Sequence, residues 1–96
     1  MKTFFDDEKR YVGITIKRTD GDPFTIANAQ YEIRGALGDI LVPKTNATID
    51  GSDVSMLFDT TIEGIDAGRR YWVFFYIGIT GSAEQIVTTV VVDVIG

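Results

Sequence analysis

Between Tyr11 and Ile95 the dominant period of the apolar side chains is two, in runs separated by turn signals, and no stretch of ordinary helix length shows three-to-four spacing. A period of two places alternate residues on opposite sides of an extended strand, which restricts this chain to sheets. In Tyr11 to Lys17, the residues Val12, Ile14 and Ile16 share one face. A second run leads in from Phe24 to Ile26, and there Ala29, Tyr31 and Ile33 oppose Gln30, Glu32 and Arg34. Val54, Met56 and Phe58 alternate with Ser55 and Leu57, Arg70 to Ile79 is the strongest run, and Gln85 to Ile95 closes the chain with Val and Thr. Ile40-Leu41-Val42 reads as a short strand stopped by Pro43, which has no N–H to give a ladder, and Thr48-Ile49 as a brief extension.

Turn formers separate the runs: Thr19-Asp20-Gly21-Asp22-Pro23, Gly35 to Asp39, Asp50-Gly51-Ser52-Asp53, and Gly78 to Glu84. Asp59 to Gly68 is a longer connection in which Ile62 and Ile65 read as plugs beneath the sheets or as one short helical turn. Some seven strands at intervals of about 8–12 residues are the pattern of an all-β, immunoglobulin-like antiparallel β-sandwich. The 96 residues form one domain, 1–96, with residues 1–9 as a loose or edge segment.

Composition narrows the chemistry. The chain has neither His nor Cys, which excludes thiol nucleophiles, Ser-His-Asp triads and most zinc sites. Residues 1–44 hold seven basic and seven acidic groups, and residues 45–96 hold two and seven, so the whole net charge of −5 arises in the second half. With a pI near 4.4, such a domain repels nucleic acid. Its acidity reads first as a solubility device and second as a means of meeting a basic partner.

The remaining polar groups give weak chemical signals. Asp20-Gly21-Asp22 starts like a calcium loop, but Pro23, Phe24 and Ile26 stand where further oxygen ligands belong, so it reads as a turn. Asp50, Asp53, Asp59, Glu63 and Asp66 supply carboxylates of the type glycosidases pair, yet a domain this small has only one core from which to carve a sugar-sized cleft. Asn46-Ala47-Thr48 matches a glycosylation sequon. Arg69 and Arg70 read as hydrated flanks of a strand or as a grip on an acidic partner. The expectation is a protein that is not an enzyme and uses no cofactor and no metal.

The stretch Ile65-Asp66-Ala67-Gly68-Arg69-Arg70-Tyr71 resembles the corner that leads into the sixth strand of fibronectin type III domains, with Ala67 in place of a proline. The resemblance implies a structural corner built on Gly68 and Tyr71, whose hydroxyl returns to upstream backbone. A looser resemblance covers nearly the whole chain. Phe24-Thr25-Ile26-Ala27-Asn28-Ala29-Gln30-Tyr31-Glu32-Ile33-Arg34, then Asp59-Thr60, Ile65 and Gly68 to Tyr71, are similar in order and spacing to small sandwich domains of tailed-phage structural proteins, such as the N-terminal domain of upper baseplate proteins. That likeness implies a virion or prophage structural role, other structural subunits or copies of itself as partners, and a place in the virion or the bacterial host cytoplasm. It carries no catalytic residue across.

The sixth strand is apolar on both sides. If Tyr71 heads the inward set, Val73, Phe75 and Ile77 enter the core, and Trp72, Phe74 and Tyr76 project outward, where polar side chains are the rule. That row is the expected interface, with Trp72 as its anchor. The competing expectation is internal cover by Phe4 and Phe5. A different class of function, a carbohydrate-binding module stacking sugars on exposed aromatics, is the alternative. Val87 to Val92 has no charge and no proline, the profile of an aggregation-prone window, so the terminal strand is expected to be paired on at least one side and unsafe if freed, with Asp93 as a gatekeeper on its outer face.

Overall fold

The computed structural model describes residues 2–5, 9–17, 24–61, 65–66, 68–81, 83 and 85–95. They form eight strands: β1 (Lys2–Phe5), β2 (Lys9–Thr15), β3 (Ile26–Arg34), β4 (Ile40–Asn46), β5 (Thr48–Asp50), β6 (Asp53–Asp59), β7 (Arg69–Ile79) and β8 (Gln85–Ile95). Five build one sheet in the order β1-β8-β7-β3-β4, and three build the other in the order β2-β6-β5. Every neighbour is antiparallel except β1, which runs parallel to β8. The protein is an all-β sandwich, and its strand order is immunoglobulin-like: β2-β6-β5 faces β3-β7-β8, with sequence-distant strands side by side.

The inward rows follow the period-two reading. Val12 from β2 and Val54, Met56 and Phe58 from β6 form one wall of the core. Ala29 and Ile33 from β3, Tyr71, Val73, Phe75 and Ile77 from β7, and Val92 and Val94 from β8 form the other. Across the layers the Phe58 and Tyr71 rings lie 6.4 Å apart and tilted by 52°, within the range of favourable aromatic pairs. Each such side chain fully buried contributes about 1.5–3 kcal/mol.

Several local expectations are corrected. Pro43 does not stop its strand: β4 continues to Asn46. β4 lies at the sheet edge, where a missing N–H costs no ladder bond, and its register against β3 shifts on both sides of Ile33. The fourth turn begins after Ile79 rather than at Gly78, since β7 runs to Ile79 and the Thr80 N–H donates to the Thr25 carbonyl at 2.9 Å. Asp50 and Asp53 pair directly across a two-residue connection in which Gly51 takes φ +61°, the left-handed region that suits a tight hairpin. Ile65 is buried as a plug, while Ile62 and the Thr19 to Pro23 turn fall outside the described residues.

Candidate docking face

The phase of β7 is set at the corner before it. Gly68 has φ +80°, and its N–H donates to the Val94 carbonyl at 2.7 Å, which ties the corner to β8. The Asp66 N–H donates to the Tyr71 hydroxyl oxygen at 2.6 Å, and the hydroxyl lies 3.4 Å from the Asp66 carbonyl. With the ring of Tyr71 fixed inside, alternation directs Trp72, Phe74 and Tyr76 to the outer face of the five-stranded sheet. All three are half-buried, and none belongs to the core cluster.

Their neighbours come from strands far away in sequence. On one side Arg34, Glu32 and Gln30 of β3 lie opposite Trp72, Phe74 and Tyr76. On the other side the same three face Val91, Thr89 and Val87 of β8. The Arg34 guanidinium sits 5.0 Å above the Phe74 ring, and the Lys44 ammonium 4.1 Å above that of Tyr76. Both are cation–π distances.

Glu32 lies under this layer. Although it is on the outer face, it is only 4% exposed. It is paired with the Arg34 Nε–H and lies 3.4 Å from the Tyr76 hydroxyl. Its hydrogen bond raises the Arg34 guanidinium pKa further above an already high ordinary value. At the end of the row Arg70 donates to both oxygens of Asp93, at 2.7 and 3.3 Å, and this pairing holds the Asp93 carboxyl below the usual range. Between the Gly35 to Gly38 turn and the row there is a shallow cleft of about 240 Å³ lined by Arg34, Gly35, Ala36, Gly38, Trp72 and Phe74.

The segment that carries Phe4 and Phe5 does not fold back over the row. Their strand β1 extends the sheet at its edge beside Val92–Ile95, with β8 between it and the aromatic row. Other groups singled out in the sequence are dispersed. Asp53 accepts a hydrogen bond from the Thr15 hydroxyl at 2.6 Å, and Asp66 faces Arg69 at 4.0 Å. Arg69 and Arg70 thus engage different carboxylates. Asp20, Asp22 and Glu63 lie outside the described residues, as does Ala67 of the corner, and among the described residues no cluster of three or more acidic side chains forms. Asn46 and Thr48 of the sequon are exposed at the β4–β5 junction. Among the described residues no helix is long and apolar enough to cross a membrane.

No family model, curated protein or solved structure matches the chain. Sequence reasoning found the aromatic row but missed Glu32, Arg34 and Lys44 as its covering. The alternation did place Glu32 and Arg34 on the outward side of their strand; the missing step was the pairing of β3 with β7.

Proposed function

We propose that the domain is a non-enzymatic docking module of a tailed-phage or prophage particle, whose working surface is the outer face of the five-stranded sheet. The observation that carries this reading is the row Trp72, Phe74 and Tyr76, half-buried under side chains rather than under a second layer of backbone. Lys44 is a long side chain that can swing aside without disturbing the sheet, while Arg34 is held over Phe74 by its pair with Glu32 and offers a partner a fixed cation. The face carries Arg34, Lys44 and Arg70 against Glu32 and Asp93, one positive charge in excess on a chain of net charge −5. It therefore suits another structural subunit that brings an apolar ridge with an acidic rim. The phage setting rests on the resemblance of Phe24 to Arg34 and Ile65 to Tyr71 to baseplate sandwich domains.

The alternative reading is a carbohydrate-binding module, in which a sugar would have to displace the same cations from the ring faces before stacking there. Trp72 is the single tryptophan, so its fluorescence reports this face alone. The test mixes the domain with structural proteins encoded beside its own gene and follows Trp72 emission and co-sedimentation. A blue shift on complex formation, with binding lost in Tyr76→Ala and Trp72→Ala at unchanged fold, supports the reading. Binding indifferent to both substitutions overturns it, as does an emission shift produced by glycans.

A further inference from the structure

The two halves of β8 have different surroundings. Among the described residues β1 pairs with Val92, Asp93, Val94 and Ile95. Over Gln85 to Val91 the strand pairs with β7 on one side, and among the described residues no strand pairs with its other side. That bare edge is about 23 Å long at the usual rise per residue. It presents an unpaired row of N–H and C=O groups in a segment with no charge and no proline.

The other edges of the sandwich are guarded. β4 carries Pro43, Lys44 and two register shifts. β5 has three residues and β1 has four. β2 carries Lys9 and Arg10, and Gly13 at its middle offers no side chain to a neighbouring strand. Sheets that must stay solitary use such devices, and among the described edges the first half of β8 lacks them. It also carries two exposed apolar side chains, Ile86 at 37% and Val87 at 54%. Beside it a slot of about 440 Å³ opens toward the other sheet, lined by Ile14, Thr15, Ile16, Lys17, Ile86 and Thr88.

We infer that this edge is a self-association site, at which β8 of one copy pairs antiparallel with β8 of a second copy about a two-fold axis normal to the sheet. The sequence is suited to its own image. Directly opposed residues in an antiparallel ladder point to the same face, so a ladder centred on Thr88 keeps the inner and outer sides of both copies continuous. On the inner side Ile86 then faces Val90 of the other copy, and Thr88 faces its counterpart. On the outer side Val87 faces Thr89. These are apolar and Thr–Thr cross-strand pairs of the favourable kind. The absence of charge from Gln85 to Val91 lets two domains of net charge −5 meet there without opposing like charges along the seam. The outcome is one continuous sheet across two sandwiches, with two aromatic rows on one side. The seam borders the docking face, since Val87 and Thr89 lie beside Tyr76 and Phe74, but the inference does not depend on that reading.

The experiment is sedimentation of the full chain from micromolar to millimolar concentration. The wild type is expected to move from the 10.6 kDa monomer toward twice that mass. The double variant Val87→Lys/Thr89→Lys sets lysine against lysine twice across the seam and is expected to stay monomeric. The charge-swapped Val87→Glu/Thr89→Lys sets each glutamate against a lysine of the other copy and is expected to restore the dimer, which only this register explains. Both positions are exposed, and thermal melts check that the fold is retained. Three results overturn the inference: a wild type monomeric throughout, a dimer insensitive to the double lysine variant, or association removed by Trp72→Ala, which would assign it to the aromatic face.

Discussion

The two sides of β7 carry almost the same kinds of side chain under different kinds of cover. On the inner side Tyr71, Val73, Phe75 and Ile77 are sealed by the opposite sheet, at 2% exposure or less. On the outer side Trp72, Phe74 and Tyr76 are covered by Arg34, Lys44 and the cross-strand residues of β3 and β8. Apolar content therefore does not distinguish core from surface in this strand. The nature of the cover does: a backbone layer cannot be removed without unfolding, whereas Lys44 leaves its ring at the cost of a rotamer change and Arg34 leaves at the cost of its pair with the buried Glu32.

Substitutions on the two sides should separate accordingly. Phe75→Ala opens a cavity between the sheets and is expected to destabilise the fold by about 3–5 kcal/mol in denaturant titration. Trp72→Ala, one position away from the Phe75-bearing row in phase, is expected to cost only about 1–2 kcal/mol for its partial burial, with the larger effect on partner binding. Equal losses at the two positions would make the outer row a second core and end the distinction.

The boundary between the two rows is set by the corner, so weakening it tests what fixes the phase. Tyr71→Phe keeps the ring and removes the hydroxyl beside Asp66; the expected cost is about 1 kcal/mol by thermal or chemical melt. An unchanged melt would mean that packing of the ring alone sets the phase.

The smallest effect is expected at the end of the outer row, in the exposed Arg70–Asp93 pair. Arg70 depresses the Asp93 pKa in the folded state, so the pair stabilises at neutral pH, and its contribution is lost as pH falls through that lowered value. Melts of wild type and Asp93→Asn should differ slightly at neutral pH in low salt and converge in acid. A difference that grows in acid would contradict the assignment.

What was legible in the sequence follows the same division. Strand phase is local information: Val12, Val54, Phe58 and Val73 announce their inward side by alternation alone, and Tyr71 with Gly68 announces the corner. The cover of the outer row is non-local. Glu32 and Tyr76 are 44 residues apart and meet only because β3 lies next to β7. Lys44 reaches its ring from a strand expected to end at Pro43, where the edge position tolerates the proline and the register shifts. β1 was the least legible, since Lys2-Thr3-Phe4-Phe5 does not alternate and its pairing with β8 joins opposite ends of the sequence.

That parallel pairing has a mechanical consequence. β1 starts opposite Val92, while β8 ends beside Phe5, so the two terminal strands overlap and point the same way. Tension that pulls the two ends of the chain apart drags β1 backward along β8 and loads their ladder bonds together, in shear. A hairpin pulled from its open end would instead release its bonds one at a time. Under such a load this short ladder would act as a latch.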